Sequence, residues 1–280
     1  MLLIFSQINP GSDFAYRPNS FIQGIGAPLW TSPYTKRLMS VAVVDKYWAY
    51  QANVRLNNPN PTDTGAISTT GELHELGHNF CCYINPSLLG GGDGAHYPKN
   101  IDLFHGNLNE DELMNYGHFW TVNNTGAYCH SNPQIYKFSK LSLYLMGLVG
   151  PDKVPPFDSY SFQKLGLDAP YNTFGPDCNQ EHVFTGTTQV TIKDVINANG
   201  PRVPDVSHSP KNFKIGIIIA VPYNSTTDEG FKEYSYKFAN LIYQEWPIVT
   251  DHLSTLSLCS DGPMTTSYDI TVPLPESNMY

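Results

Sequence analysis

The residues best able to do chemistry stand together in the stretch STTGELHELGHNF, residues 68–80. His74, Glu75 and His78 form the pattern HExxH, in which two histidines on one helix face bind zinc. Zinc would lower the pKa of water to about 7 and polarise a scissile carbonyl, while Glu75 acts as general base and then returns the proton to the leaving amine. With nine histidines in 280 residues, random order would give only about 0.01 such matches. The motif therefore favours a zinc site over a merely polar helix face.

A catalytic zinc site needs a third protein ligand. The metzincin spacing is excluded, because Cys81 and Ile84 stand where that subclass has glycine and histidine. We expect His96 to be the third ligand, since it follows a glycine-rich reversal from which a loop can fold back over the helix. The alternatives downstream are Asp93, Asp102, His105, Glu110, Glu112 and His118. A closed structural site made of His74, His78 and Cys81 is a rival arrangement.

Peptide hydrolysis also needs a donor that stabilises the tetrahedral intermediate. Tyr97, Tyr116 and His118 are the nearest candidates in the sequence. No motif distinguishes among the three, so they stay open alternatives.

The motif must be positioned by a helix, and the surrounding sequence predicts one from about Thr69 to about Ile84. Its apolar residues fall on one stripe of a 3.6-residue period: Leu73, Leu76, Phe80 and Ile84. Thr69 and Glu72 have the spacing of a capping box. The sequence thus predicts an amphipathic helix with HExxH near its middle.

Other segments predict a mixture of strands and helices in no regular alternation, which is typical of an α+β fold. The predicted strands are MLLIFSQI, part of RLMSVAVVDKYWAY, and FKIGIIIAVPYN, and the predicted helices are residues 136–148, the end of QVTIKDVINANG, and FKEYSYKFANLIYQEW. We expect a single domain over residues 1–270 and an unstructured tail over 271–280.

Composition narrows the classes of partner. The formal net charge is −9 and lysines and arginines do not cluster, so nucleic acid is disfavoured. No apolar run reaches the ~18 residues of a membrane span. Two N-glycosylation sequons weakly favour a secreted protein, although the first residues do not read as a signal peptide. Five cysteines without a CxxC pair give neither a disulfide framework nor a second zinc motif.

Several segments together resemble a group of HExxH zinc metallopeptidases: LHELGHNF, GAHYP, FSKLSLYLMGLVGPDKVPPF and VTIKDVINANGPRVPD. The resemblance covers residues 20 to 250 and implies a zincin-like catalytic domain, one zinc ion and a polypeptide substrate. It carries over His74, Glu75 and His78 directly and matches His96 to the histidine of the ligand loop. Arg202, in GPRVP, could pair with a substrate carboxylate or clamp a loop.

The chain departs from that group's pattern at two positions. Cys81 replaces a glycine, and Ser142 replaces an aspartate that could support the site from behind. A zincin-like binding protein without activity is therefore one alternative to a peptidase. A zinc hydrolase of non-peptide amides or esters is another, because it would use the same residues.

Overall fold

The computed structural model describes residues 1–7, 14–35, 37–44, 69–98, 100–105, 110–115, 119–123, 126–130, 135–164 and 182–258. This part of the chain has an α+β fold with mixed strand directions. Its helices are α1 (Thr70–Gly77), α2 (Pro86–Leu89), α3 (Lys140–Met146), α4 (Ile192–Asn199) and α5 (Glu229–Val249). Its strands are β1 (Leu2–Ser6), β2 (Phe14–Tyr16), β3 (Asn19–Ser20), β4 (Trp30–Thr31), β5 (Val41–Val44), β6 (Ile101–Asp102), β7 (Glu110–Glu112), β8 (Phe119–Asn123), β9 (Gly126–His130), β10 (Ile135–Lys137), β11 (Phe157–Lys164), β12 (His182–Val190), β13 (Asn212–Ala220) and β14 (Thr255–Leu258).

The main sheet has five strands in the order β14-β13-β1-β5-β2. Its first four strands are parallel to their neighbours, and the edge strand β2 runs antiparallel to β5. Smaller sheets pair β11 with β12 and β6, β7 with β10, β3 with β4, and β8 with β9. Helix α1 packs against β5 and β2, so the HExxH motif lies beside this edge of the main sheet.

The four residues of the predicted apolar stripe are buried, but helix α1 is shorter than predicted and contains only the first two of them. Leu73 and Leu76 on α1, and Phe80 and Ile84 in the segment after it, are each at most 2% exposed, because all four side chains pack into the core. The helix ends at Gly77, where a Cβ would come within 2.6 Å of Met114 Sδ. The predicted capping box is wrong: the side chain of Thr69 makes no capping hydrogen bond and donates instead to Glu245 on α5.

The remaining predicted elements are confirmed with shifted ends. The helix predicted over residues 136–148 is only α3, because Tyr136 belongs to β10 and Ser139 caps the helix through a hydrogen bond from the amide of Ser142. Helix α5 buries the predicted apolar face against the sheet, with Phe238 in edge contact with Phe5. None of the described helices combines the length and apolar character needed to cross a membrane. The predicted tail, 271–280, lies outside the described residues.

Glu112 is a fully buried carboxyl that connects the core to α3. It accepts hydrogen bonds from the amides of Ser139 (2.6 Å) and Met114 (3.3 Å). Burial raises its pKa to about 7, even though these hydrogen bonds act in the opposite direction. The folded protein therefore holds the Glu112 proton more tightly than the unfolded chain does.

This difference predicts how stability depends on pH. Between about pH 4.5 and 7 the unfolded chain releases the Glu112 proton while the folded protein keeps it, so stability is lost as pH rises. A shift of this size corresponds to on the order of 3 kcal/mol. As the pH rises from about 4.5 to 7, we expect the free energy of unfolding of wild type to fall by about this amount more than that of Glu112→Gln. Urea denaturation with a chelator present measures this free energy at each pH. Parallel pH curves for the two proteins would contradict the assignment.

Candidate metal centre

His74 and His78 come from the end of α1. His74 lies within the helix, and His78 follows it with helical backbone angles (φ −58°, ψ −14°). The four-residue spacing therefore brings both rings to one side, with their Nε2 atoms 3.1 Å apart. Both side chains are largely buried.

The main chain fixes the orientation of the His74 ring. Its Nδ1 lies 2.7 Å from the carbonyl oxygen of Leu113, which can only accept a hydrogen bond. Nδ1 therefore carries the proton, and Nε2 presents a lone pair. Burial lowers the pKa of His74 to about 4 and that of His78 to about 3, so both rings are neutral near pH 7, as metal binding requires.

His96 reaches the same point from the loop that follows α2. The loop reverses through glycines with positive φ, among them Gly92 (116°) and Gly94 (83°). His96 Nε2 then lies 3.1 Å from His74 Nε2, and the two rings are stacked. The structure thus brings together the three histidines that the sequence selected.

Asp93 holds this loop and orients His96. One carboxylate oxygen accepts hydrogen bonds from the amides of Ala95 (2.9 Å) and His96 (2.8 Å), and the other pairs with His96 Nδ1 at 2.7 Å. Burial acts to raise the pKa of Asp93, but these hydrogen bonds lower it below its ordinary value. A carboxylate on Nδ1 directs Nε2 toward the other two histidines, an arrangement that recurs behind metal-bound histidines.

The three imidazoles form a group that could hold a metal ion. Their ligand nitrogens all lie within 4.8 Å of one another. Lone pairs that face each other at 3.1 Å repel, unless a proton or a metal ion lies between them. Among the described residues this is the sole set of three or more His, Cys, Asp or Glu side chains with such geometry.

Glu75 lines the same cavity as the three histidines. The cavity has a volume of about 500 Å³ and is open on one side. Its walls come from β2, α1, the turn after α1 and the ligand loop: Phe14, Ala15, Tyr16, Arg17, Ser40, His74, Glu75, His78, Asn79, Tyr83, Ala95 and His96. A molecule in the cavity would meet the histidine cluster and the Glu75 carboxylate together.

The remaining candidate ligands in the described part of the chain lie outside the cavity wall. Asp102 accepts hydrogen bonds from the amide of Phe104 and the hydroxyl of Tyr160. Cys81 is fully buried, and its thiol donates to the carbonyl of Gly77. Neither residue lines the cavity. Three other candidates are also absent from its walls: Glu110, which pairs with Lys137, the buried Glu112 and the exposed His105.

Two of the candidates for transition-state or substrate contact, Tyr97 and Arg202, are described by the structure, and neither lines the cavity. Tyr97 is fully buried, and its hydroxyl lies 3.1 Å from Ser142 Oγ. The guanidinium of Arg202 donates to the carbonyls of Leu145 (2.7 Å) and Met146 (2.9 Å). Of the two roles predicted for Arg202, these contacts favour clamping of a loop. Tyr116 and His118 lie outside the described residues.

Ser142 lies in the layer behind the site. It bonds to Tyr97, the neighbour of His96, and its hydrogen bond to Glu112 acts on the pKa of that carboxyl. Glu112 in turn is the neighbour of Leu113, whose carbonyl orients His74. The serine therefore joins the two segments that hold the ligands, although it cannot supply the charge of an aspartate.

Sequence reasoning missed two supports of the cluster. The Leu113 carbonyl is a main-chain group and leaves no signal in residue types. Asp93 was considered as a ligand, but its role beside His96 could have been found from the short Asp-x-x-His spacing, which suits a turn closed by the Asp side chain.

The role of Asp93 gives a prediction about metal affinity. We expect Asp93→Asn to weaken metal binding about 10- to 100-fold, because the amide supports the His96 ring and the loop less strongly. Titration of the metal-free protein with zinc and a competing chelator would measure this loss. Asp205→Asn is a matched control, since Asp205 pairs with His208 at the same spacing and distance (2.7 Å) on the surface. Equal losses in both variants would contradict the role of Asp93.

No protein-family model, no curated protein and no solved structure matches the chain.

Proposed function

We propose that this protein is a zinc-dependent hydrolase and that its substrates are peptides. The observation that carries the proposal is the convergence of three histidine Nε2 atoms beside Glu75 in one open cavity. Catalytic zinc sites have three protein ligands and keep a further position for water or substrate. Histidine ligands with an accessible cavity suit such a site better than a closed structural one.

The donor set fits zinc. Bonds of 2.0–2.1 Å in tetrahedral geometry put two ligand nitrogens about 3.3 Å apart. His74 Nε2 lies 3.1 Å from the Nε2 atoms of both His78 and His96. His74, His78 and His96 would hold the ion. The chemistry that bound zinc supplies is Lewis acidity, which makes water more acidic and polarises a carbonyl group.

Glu75 is the proposed general base. It follows a ligand histidine on α1 and shares the cavity with the cluster, so its carboxylate can accept a proton from water without taking a ligand position. The same carboxyl would then donate this proton to the leaving amine. The hydrogen bonds from His74 to Leu113 and from His96 to Asp93 keep the ligand rings in place during the reaction.

The proposal also includes the type of domain that carries the site. A helix that presents His74 and His78 and packs beside an antiparallel edge strand supports a zincin-like domain. The tested reaction is hydrolysis of a quenched-fluorescent peptide library by the zinc-loaded protein, with Glu75→Gln at equal zinc content as the comparison. Cleavage by wild type and its loss in the variant would support the proposal; a zinc-loaded wild type that cleaves none of the peptides would overturn it.

A further inference from the structure

Arg17 is a buried cation in the wall of the candidate active site. It directly follows β2 and lines the cavity together with His74, Glu75 and His78. Its side chain is only 7% exposed. A molecule bound in the cavity would therefore meet a positive charge close to the metal centre.

The guanidinium can donate more hydrogen bonds than it makes to the described residues. Among the residues that the structure describes, none accepts a hydrogen bond from Nε or Nη1 of Arg17. Burial lowers the pKa of Arg17, but arginine stays charged at neutral pH. A buried charge is costly unless an opposite charge or hydrogen-bond acceptors accompany it. An anionic ligand would supply both.

Two aromatic rings hold Arg17 without neutralising it. The guanidinium carbon lies 4.9 Å from the ring centre of Trp30 and 4.4 Å from that of Tyr83. The Tyr83 hydroxyl donates to the carbonyl of His78 at 2.6 Å, and burial raises its pKa to about 12, so the phenol is uncharged. Stacking against ring faces leaves the N–H edge of the guanidinium available to a ligand.

Two more buried polar groups line the same cavity. Ser40 and Asn79 are each 2% exposed, and within the described part of the chain neither side chain has a hydrogen-bond partner. The Ser40 hydroxyl and the Asn79 amide can both donate. We call Arg17, Ser40 and Asn79 the polar pocket.

We propose that the polar pocket binds a carboxylate of the substrate, so that the enzyme selects peptides with a carboxylate next to the scissile bond. This inference rests on the proposed function and names its substrate class. A guanidinium matches a carboxylate through two parallel hydrogen bonds. The cavity walls contain one arginine and no lysine among the described residues, which suits a singly charged group better than a phosphate dianion.

The carboxylate has two possible sources in a peptide. It is either the free α-carboxylate of the last residue or the side chain of an Asp or Glu near the bond. The overall charge of −9 disfavours highly anionic substrates, whereas the polar pocket acts locally on a single charge. Peptides that carry only one of the two carboxylates distinguish these sources.

The test measures binding of four matched N-acetylated peptides to zinc-loaded Glu75→Gln by calorimetry. One pair has the same sequence with a C-terminal acid or amide, and the other is a C-terminal amide with Glu or Gln after the scissile bond. In at least one of the two pairs, we expect the peptide that carries the carboxylate to bind about 10- to 100-fold more tightly than its uncharged match. Adding Arg17→Gln should remove the preference, and Arg17→Lys should retain part of it. Arg37→Gln, on the exposed surface, is the matched control.

The outcomes separate this inference from the proposed function. Equal binding within both pairs overturns the polar pocket, even if the wild type hydrolyses peptides. A carboxylate preference that depends on Arg17 supports the polar pocket, even if no hydrolysis is found. If Arg17→Gln does not fold, as measured by circular dichroism, Arg17→Lys takes its place: a reduced preference in that variant supports the polar pocket, and an unchanged one overturns it.

Discussion

Glu75→Gln should retain about one zinc ion per chain while kcat/KM for peptide hydrolysis falls about 10²- to 10⁴-fold, the usual contribution of a general acid–base group. Glutamine keeps the size of the side chain and its place in the cavity, but it cannot accept a proton from water. Because Glu75 is not among the grouped ligands, its replacement leaves the three histidines unchanged.

The measurement combines elemental analysis with steady-state hydrolysis of the best library peptide. Glu233→Gln is a suitable control, since the same substitution then removes a surface carboxylate of α5 that pairs with Lys237. A Glu75→Gln variant with undiminished kcat/KM would rule out the general-base role. Loss of zinc in this variant would instead make Glu75 part of the metal site.

His96→Ala should lose most of its zinc under conditions in which wild type carries about one ion per chain. Removal of a group that only supports a ligand costs about 10- to 100-fold in affinity, and removal of the ligand itself should cost more. The variant keeps His74 and His78, but two imidazoles from one helix do not make a catalytic site. Hydrolysis should fall with the zinc content.

His208→Ala is the matched control for this variant. His208 also pairs through Nδ1 with an aspartate three residues earlier, but on the surface. Elemental analysis of proteins purified without chelators, followed by zinc titration, compares the two. Full zinc content in His96→Ala would mean that another residue completes the site. A folded wild type that binds no zinc when zinc is supplied would favour the non-catalytic binding protein.

Periodic signals in the sequence predicted the elements that matter most for the site. The predicted burial of Leu73, Leu76, Phe80 and Ile84 is confirmed, although only the first two lie on helix α1, which ends at Gly77. The pattern is visible in the sequence because a helix buried against the core needs one apolar face. The spacing of His74 and His78 then determines where the rings point. His96 could be chosen because a glycine-rich reversal is needed to return the chain to the helix.

Contacts between distant segments could not be predicted in this way. Thr69 has the residue type and spacing of a helix cap, yet its hydroxyl bonds to Glu245, 176 residues away. The Leu113 carbonyl and the rings of Trp30 and Tyr83 also reach the site through tertiary packing. Residue types alone do not encode which of several possible partners lies closest in the folded chain.

The position of β1 in the main sheet affects how the protein is made. β1 is synthesised before both of its neighbours in the sheet, β5 and β13, and it pairs Leu2 with Gly216. At about 5–20 residues per second, the ribosome needs on the order of 10–40 s to reach that partner. During this interval the apolar residues of β1 lack the strand β13 that pairs with them in the folded sheet, and exposed apolar surface of this kind is prone to aggregate. We expect the histidine cluster to form only after β13 has left the ribosome, since α1 packs on the sheet to which β13 belongs.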